Sequence, residues 1–507
     1  MTTNNRHKNT NKMTIKDLEP KVVWNNFYQI TRIPRPSKHE EKIRKYLLDW
    51  GKSKGFETFA DKTGNVIIRV PATPGFEDRK GVILQGHMDM VPQKNADTVH
   101  DFEKDPIETW VDGEWLRAKG TTLGADNGLG VAMGLSVLED PSVKHGPVEV
   151  LVTYDEETGM TGARALEPGI LKGDILINLD SETEGELYVG CAGGLDAVAS
   201  ATYEPQPWPE KGYACYELAV KGCQGGHSGM DIVLCRANAN KVAARVLLPL
   251  LRDCGVKLID LEGGTLRNAI PREAFATLYV PEDGIAKAQA VIDKVAAEVK
   301  NEHAVTDPGM EFIFKPYECK DGECCDHCDD CKYVPEADAL RFIRAVLACP
   351  DGVDRMSDAM PGLVETSNNL AMVRIEKGKF SVITLMRSSV DSGKEFLATK
   401  LESVFELAGA KVKFEGGYSG WAPNNASPIL HTMKKVYKDL YGKEPLVMAI
   451  HAGLECGILG GIYPDWDMVS CGPTLLSPHS PDERANIPSV QKAWDFLKAV
   501  LENIPVK

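Results

Sequence analysis

Residues 82–89, Val-Ile-Leu-Gln-Gly-His-Met-Asp, are the stretch that decides the fold. The apolar run at 82–84 predicts a buried strand, and this strand runs into His87 and Asp89. Side chains two residues apart on an extended chain point the same way, and open α/β sheets carry their active sites at the carboxyl edge. A histidine that binds a metal needs a hydrogen-bonded partner to fix its tautomer, and Asp89 is placed to provide it.

Similar runs recur along the first 180 residues. Residues 65–70, 148–154 and 175–179 predict strands, and the last two lead into Asp155-Glu156-Glu157 and Asp180-Ser181-Glu182. A glycine-rich loop at 121–128 precedes a predicted helix at 129–138, and residues 37–40 have the pattern of a capping box that opens another helix. Strands that alternate with helices predict βαβ units and a mainly parallel sheet.

The length of 507 residues is too great for one ordinary core, so we predict two structural domains. From about residue 194 the pattern changes to alternating strands, such as 216–220, and long amphipathic helices, such as 285–299. A Gly- and Pro-rich stretch at 416–423 marks a return crossing. We therefore predict a polar extension at 1–14, an α/β domain at 15–193 and 419–507, and a large α+β insert at 194–418.

Composition and charge narrow the class of protein. The chain is 43% hydrophobic and 26% charged, with a net charge of −15 at pH 7. This charge argues against nucleic acid or an anionic membrane surface as the main partner. No apolar run reaches the ~18 residues of a membrane span, and the first residues lack the apolar core of a signal peptide. We therefore expect a cytoplasmic protein, with its scattered cysteines mostly buried as thiols.

Histidines and acids follow several of the predicted strands or open helices. They are His87, Asp126, Glu156, Glu157 and Asp180, and His479 adds a second imidazole in a Pro-flanked loop far downstream. Imidazoles with carboxylates suit zinc, with manganese or cobalt as substitutes, and a bridging carboxylate holds two metals ~3.5–4 Å apart. A solvated turn at 156–157 and a helix cap at Asp126 are the alternatives, but the succession on one predicted sheet favours a metal site.

Several of these motifs together resemble the M20 metallopeptidases. They are Gly-His-Met-Asp-Met-Val at 86–91, Gly-Ala-Asp-Asn at 124–127, Asp-Glu-Glu-Thr-Gly at 155–159 and Pro-His at 478–479. Met-Ser at 356–357, residues 361–367 and His-Ala-Gly-Leu-Glu-Cys at 451–456 resemble the aminoacyl-histidine dipeptidase branch, which includes cytosol non-specific dipeptidases. The resemblance covers about residues 15–505. It implies a zinc-peptidase-like catalytic α/β domain interrupted by a lid domain.

The resemblance also implies roles for individual residues of the catalytic domain. Asp126 would bridge two zinc ions, and its peptide bond to Asn127 would be cis. Asp89 would orient the ligand His87. Glu156 would be the general base, although the residues alone do not decide whether Glu156 or Glu157 has that role. The implied metal ligands are His87, Asp126, Glu157, Asp180 and His479.

In the lid, His227 within Gly-Gly-His-Ser-Gly at 225–229 would stabilise the oxyanion. Arg387 and Asn268 would hold the terminal carboxylate of the substrate, and the backbone of Gly453 would approach the same carboxylate. Without the resemblance, residues 225–229 are a capped turn and Arg387 is a surface arginine. The resemblance further implies a homodimer through the lid, with His227 acting across subunits.

The implied activity is hydrolysis of unblocked dipeptides, including Xaa-His, by a di-zinc-activated water. One alternative is an M20 amidohydrolase that acts on N-acyl amino acids. Another is a non-catalytic metal-binding scaffold. The dipeptidase and the N-acyl amino acid amidohydrolase differ in whether the site holds the α-amine of the substrate.

An acidic segment at 318–332 has no counterpart that we recognise in the family. It contains Cys319, Cys324, His327 and the run Cys325-x2-Cys328-x2-Cys331. Thiolates at this spacing can hold a tetrahedral zinc, so an additional zinc at Cys325, Cys328 and Cys331 is one interpretation. A reduced loop and a redox disulfide are the others.

Overall fold

The protein was analysed as a computed structural model, which describes residues 13–207, 209, 211–317 and 332–507. Within these residues the strands are β1 (Glu57–Ala60), β2 (Val66–Val70), β3 (Val82–His87), β4 (Thr109–Asp112), β5 (Trp115–Ala118), β6 (Val148–Thr153), β7 (Ile175–Asn178), β8 (Glu186–Cys191), β9 (Gly193–Thr202), β10 (Tyr213–Lys221), β11 (Gly226–His227), β12 (Lys257–Gly263), β13 (Ala269–Ile270), β14 (Ala274–Pro281), β15 (Glu311–Pro316), β16 (Gly352–Met356), β17 (Val364–Glu376), β18 (Lys379–Ser388), β19 (Lys411–Tyr418), β20 (Leu446–Ile450), β21 (Asp467–Ser470), β22 (Leu475–Leu476) and β23 (Arg484–Asn486).

The α-helices of the same residues are α1 (Lys21–Thr31), α2 (Glu41–Ser53), α3 (Ala125–Glu139), α4 (Glu156–Gly159), α5 (Thr161–Arg164), α6 (Ala239–Asp253), α7 (Ile285–Glu302), α8 (Glu336–Ala348), α9 (Asp391–Leu407), α10 (Pro428–Tyr441), α11 (Glu455–Ile462) and α12 (Ile487–Glu502). None of the helices in the described ranges is both long and apolar enough to cross a membrane.

The chain divides into two compact units. Of the described residues, those within Met1–Gly190, Pro423–Ala449 and Leu454–Lys507 form unit 1, and those within Cys191–Ala422 and Ile450–Gly453 form unit 2. The prediction assigns residues 191–193, 419–422 and Ile450–Gly453 to the catalytic domain, whereas all three segments belong to unit 2. Backbone hydrogen bonds explain the difference, because the amide of Ala192 donates to the carbonyls of Ile450 (3.1 Å) and Ala452 (2.9 Å).

Unit 1 contains an eight-stranded sheet in the order β1-β2-β6-β3-β7-β21-β8-β20. The central strands β6, β3, β7 and β21 are parallel, whereas β1, β2 and β8 pair antiparallel with their neighbours. Every residue of β3, β6 and β7 is buried, as expected for parallel strands covered on both faces. This confirms the predicted α/β fold, but the prediction of a mainly parallel sheet holds only for the four central strands, because β1, β2 and β8 pair antiparallel.

Helix α3 is buried from Ala125 to Val137, which is the pattern of a helix packed on all sides. The predicted capping box at 37–40 is wrong. Helix α2 begins at Glu41 with no side-chain cap, because the Ser37 hydroxyl donates to Oδ2 of Asp89 instead, at 2.9 Å.

Unit 2 contains a nine-stranded sheet with the path β15-β10-β14-β12-β17-β18-β9-β19, and β16 pairs with β17 beside it. Its strand pairs are antiparallel. Helices α6 to α9 contribute buried apolar residues to one core with this sheet, in which Phe342 stacks on Phe380 with ring centroids 4.3 Å apart. Six of the eight cysteines among the described residues are buried, which confirms that prediction for most of them.

Candidate functional site

Four of the predicted ligands meet at the carboxyl edge of the parallel strands of unit 1. His87 is the last residue of β3, Glu157 follows the end of β6, and Asp180 lies two residues after β7. Because β3 pairs in parallel with both β6 and β7, these ends lie side by side. Asp126 joins them from the first turn of α3, where its peptide bond to Asn127 is cis.

Asp126 connects two groups of side chains. Its Oδ1 lies 3.1 Å from Nε2 of His87, and its Oδ2 lies 3.0 Å from Nε2 of His479. Asp180 Oδ1 lies 3.4 Å from the same nitrogen of His87, and Glu157 Oε2 lies 3.0 Å from the same nitrogen of His479. The five predicted ligands therefore form two triads that share the Asp126 carboxylate, which is the arrangement expected for two metal ions with one bridging ligand.

The unsatisfied atoms of this centre fit cations. Oδ1 of Asp180 and Oε1 of Glu157 are buried without a hydrogen-bond partner among the described residues, and such groups in native proteins call for an explanation. Hydrogen bonds to Asp126 and Glu157 raise the pKa of His479 to about 11, so the centre demands positive charge. Two imidazoles and three carboxylates are a donor set that suits zinc.

Asp89 lies behind the centre and is fully buried. Its Oδ1 lies 3.2 Å from Nδ1 of His87, and its carboxylate accepts hydrogen bonds from the backbone amides of Glu156 (3.0 Å) and Glu157 (3.2 Å). Although burial opposes it, contact with His87 lowers the pKa of Asp89 to about 2. This charged carboxylate therefore lies beside Nδ1 of His87 and also binds the first two amides of α4.

Glu156 is the first residue of α4 and approaches the centre without belonging to either triad. One of its carboxylate oxygens lies within 4.8 Å of ligand atoms of His87 and Glu157. Burial, together with the charges of Asp180 and Glu455, raises the pKa of Glu156 well above its usual range. Its place beside the centre is the geometry that a proton-transferring carboxylate needs.

Sequence reasoning missed Glu455, although it quoted the motif at 451–456 that contains it. Glu455 is fully buried, and its Oε2 accepts hydrogen bonds from Gln85 Nε2 (2.6 Å) and Thr153 Oγ1 (2.7 Å). It thereby links β3 and β6 beneath their functional ends. Burial raises its pKa to about 8. Arg35 and Glu483 are two further buried charged residues of unit 1 that belong to none of the sequence motifs.

In unit 2, the tautomer of His227 follows from its contacts. Nδ1 accepts hydrogen bonds from the backbone amides of Gly229 (3.2 Å) and Met230 (3.1 Å), so the ring proton must lie on Nε2. Burial and the charge of Arg387 lower the pKa of His227. The ring is therefore a neutral N–H donor near pH 7.

Arg387 is not a surface arginine, because it is only 6% exposed. Its Nε donates to Ser228 Oγ at 3.3 Å, and among the described residues it forms no salt bridge. A methyl group on Gly229 would contact the carbonyl of His451 and would lie 3.1 Å from Cε1 of His227 and 3.3 Å from Nε of Arg387. His227, Arg387 and His451 therefore meet around Gly229.

The other predicted substrate-binding residues, Asn268 and Gly453, are less buried than Arg387. Asn268 is exposed in the turn before β13, and its carbonyl accepts the amide of Ser228 at 2.9 Å. Gly453 is half-buried in the segment shared with His451. His451 is buried, with its Nε2 2.7 Å from Ser367 Oγ, and burial followed by the charge of Arg387 lowers its pKa to about 3.

The predicted zinc site at Cys325, Cys328 and Cys331, with Cys319, Cys324 and His327 around it, lies outside the described residues. Most of the predicted polar extension, residues 1–12, also lies outside them. The additional zinc therefore stays a prediction.

Comparison with known proteins gives a consistent relationship. A model of peptidase family M20/M25/M40 matches residues 83–503. A cytosol non-specific dipeptidase of Escherichia coli (strain K12) is 45% identical over 493 residues, which cover 97% of this chain and 99% of that protein. The crystal structure of an aminoacylhistidine dipeptidase from Vibrio alginolyticus matches with a TM-score of 0.90 and 47% identity, over 98% of this chain and 99% of that one.

A more distant structure, the aminopeptidase PepT from Bacillus cereus, matches with a TM-score of 0.54 and 16% identity over 96% of this chain and 99% of that one. This last likeness concerns the fold alone. Because the family model and the relative from E. coli both extend over most of the sequence, the chain belongs to peptidase family M20/M25/M40.

Proposed function

We propose that this protein is a metal-dependent dipeptidase that hydrolyses unblocked dipeptides, Xaa-His among them, in the cytoplasm. The observation that carries the proposal is the Asp126 carboxylate, which has one oxygen 3.1 Å from His87 and the other 3.0 Å from His479. The relatives from E. coli and V. alginolyticus, named as a cytosol non-specific dipeptidase and an aminoacylhistidine dipeptidase, support the substrate class and the compartment.

Five residues would hold two zinc ions, with manganese or cobalt as substitutes: His87, Asp126, Glu157, Asp180 and His479. When bound, such ions supply an activated water and a polarised substrate carbonyl. Asp89 would keep His87 in the tautomer that presents Nε2, since its carboxylate lies 3.2 Å from Nδ1. Partners of this kind tune both ligand orientation and metal affinity.

Glu156 would move the proton of the reaction. Its carboxylate takes a proton from the attacking water as the water oxygen bonds to the carbonyl carbon. It then gives that proton to the leaving nitrogen as the carbon–nitrogen bond breaks, so Glu156 ends as it began. The position of Glu156 supports this role, because one of its carboxylate oxygens lies within 4.8 Å of ligand atoms of His87 and Glu157.

Residues of unit 2 would bind the rest of the substrate. His227, with its proton on Nε2, would donate to the carbonyl oxygen as negative charge develops there, a contribution of ~2.7–4 kcal/mol in comparable sites. The fork of Arg387 would bind the terminal carboxylate, with Asn268 and the backbone of Gly453 beside it. The family resemblance further supports a homodimer through unit 2, with His227 acting across subunits, and sedimentation of the purified protein tests it.

Two other functions remain as alternatives to be tested. An amidohydrolase acting on N-acyl amino acids would use the same Arg387 and differ at the α-amine. A non-catalytic scaffold is disfavoured, because the five candidate ligands and the candidate base are all present and assembled.

The deciding experiment compares wild type, Glu156→Gln and the exposed control Glu114→Gln for bound metal and for hydrolysis of Xaa-His, other dipeptides and N-acyl amino acids. We expect two metal ions per chain in all three proteins. Hydrolysis should fall by about 100- to 10,000-fold only in Glu156→Gln. A wild type that binds metal but cleaves only N-acyl amino acids would replace the dipeptidase proposal, and one that cleaves nothing would favour the scaffold. A third metal ion would indicate the cysteine segment.

A further inference from the structure

Glu483 is a buried carboxylate outside the candidate ligand set. Its side chain contacts one of the candidate ligands, Asp126, through the backbone amide of that residue. Glu483 is 2% exposed. Its Oε2 accepts the backbone amides of Leu123 (2.7 Å) and Gly124 (2.9 Å), and its Oε1 accepts those of Ala125 (2.7 Å) and Asp126 (3.3 Å). Four donors at the start of α3, which would otherwise be unsatisfied, are thus bound by one side chain.

Arg35 binds the same loop through a backbone carbonyl, whereas Glu483 binds its amides. It is 2% exposed, and its Nη2 donates to the carbonyl of Gly124. Its Nη1 donates to the carbonyls of Met88 (3.0 Å) and Asp89 (2.6 Å). Arg35 therefore ties the loop that carries Asp126 to the chain segment that follows His87.

These contacts join three separate segments of unit 1. The first ends β3 and carries His87, the second opens α3 and carries Asp126, and the third carries His479 four residues before Glu483. The bonds of Glu483 span 357–360 residues of sequence. Since Asp126 contacts both histidines at 3.0–3.1 Å, a small displacement of its backbone would change both distances.

We propose that Arg35 and Glu483 act together as positioning residues that fix the Asp126 backbone, and so set the affinity and geometry of the two-metal centre. The proposal rests on the metal centre of the proposed function. It assigns to two residues outside the ligand set the control of how well the centre binds metal. Partners behind metal ligands typically change affinity by about 10- to 100-fold when they are replaced.

The bonding pattern predicts which replacements fail. Glutamine has the shape of Glu483, but its NH2 group would face two backbone N–H donors in place of an acceptor. Lysine at position 35 keeps the charge of arginine but loses the planar fork that reaches three carbonyls. A long-range charge effect would be seen in Glu483→Gln but not in Arg35→Lys, whereas a positioning effect would be seen in both.

The test is a titration of metal-free protein with Co2+ alone, followed by the visible absorption of the bound ion and by competition with a chelator. The variants are Glu483→Gln, Arg35→Lys and the conservative Glu483→Asp. The control Asp482→Asn removes the same charge from an exposed neighbour. We expect Glu483→Gln and Arg35→Lys to weaken Co2+ binding by about 10- to 100-fold and to alter the spectrum. Glu483→Asp should recover part of the affinity, and Asp482→Asn should match wild type.

Circular dichroism and the melting temperature of the metal-free proteins separate positioning from folding. The proposal would be overturned if the variants melt at a lower temperature but keep the Co2+ affinity and spectrum of the wild type. If Glu483→Gln does not accumulate as a folded protein, Arg35→Lys and Glu483→Asp decide the matter by the same titration. A wild type that binds no Co2+ would instead contradict the metal centre itself, so the two failures are distinguishable.

Discussion

At the scale of single residues, Arg387 is a buried positive charge without a salt bridge among the described residues. Its guanidinium is 6% exposed and bonded to a serine hydroxyl, and within the described ranges it has no carboxylate partner of the kind that buried charges normally have. Charged hydrogen bonds contribute roughly 1.5–3 kcal/mol, and a carboxylate ligand would satisfy two of the guanidinium N–H groups at once.

We therefore expect Arg387→Lys to raise KM for an unblocked dipeptide by about 10- to 100-fold. The matched measurement uses the same dipeptide with its terminal carboxylate converted to an amide, for which the variant and wild type should differ little. Arg355→Lys, at an exposed arginine of the same unit, should leave both substrates unchanged. Equal losses on the acid and the amide would mean that Arg387 does not bind the carboxylate.

The residues that could be predicted from the sequence are those that belong to short motifs. His87, Asp126, Glu157 and His479 each stand in a motif of the family, and Asp180 follows the predicted strand 175–179. The structure brings the five together, although their roles remain proposals. Glu483 and Arg35 were not predictable, because their partners lie 53 to 360 residues away and no spacing marks such contacts. The burial of Arg387 was equally hidden, since a lone arginine on a strand has no sequence signal for burial.

At the scale of elements, two glycines of α3 differ in their surroundings although they are one turn apart. A methyl group on Gly130 would contact the carbonyl of Leu179 and would lie 2.5 Å from Oδ1 of Asn127. On Gly134 it would lie 3.3 Å from Cγ1 of Val150, a side-chain atom. Alanine is intrinsically better in a helix than glycine by about 1 kcal/mol, so only local crowding can make the two substitutions differ.

We expect Gly130→Ala to lower the free energy of unfolding by about 1–3 kcal/mol, as overpacking does, and to reduce hydrolysis because it pushes on the chain next to Asp180. Gly134→Ala is the control and should stay within about 1 kcal/mol of wild type. Urea unfolding followed by circular dichroism measures both. Equal effects of the two substitutions would show that Gly130 is not crowded against the carbonyl of Leu179.

The boundaries of elements show where sequence reasoning stops. Apolar runs placed β6 and β7 within one residue of their observed ends, whereas β3 continues three residues beyond its apolar run at 82–84. The regular part of helix α3 begins close to the predicted residue 129, because Asp126 and Asn127 depart from helical φ and ψ. The amides of Ala125 and Asp126 before it bind the distant Glu483, and no local pattern marks that contact. The capping box at 37–40 failed for a related reason, since the Ser37 hydroxyl is used by Asp89.

At the scale of the whole molecule, the five candidate ligands all belong to unit 1, and none belongs to unit 2. An ion that binds only the folded form stabilises it by about 2.7 kcal/mol at a concentration of 100 times its Kd. For a unit of this size that corresponds to a shift of roughly 5–10 °C in melting temperature. Metal removal is therefore expected to act on one unit.

We predict that a chelator lowers the stability of unit 1 by this amount and leaves unit 2 nearly unchanged. Hydrogen exchange read by mass spectrometry would locate the effect, with faster exchange in β3, β7 and α3 and constant exchange in β10, β14 and α6. The variant Asp126→Ala, which removes the shared carboxylate, should exchange like the chelated wild type and respond no further to the chelator. Because protection depends on the free energy of local opening, equal acceleration in both units would mean that they unfold together, and no change in unit 1 would mean that the centre does not hold metal.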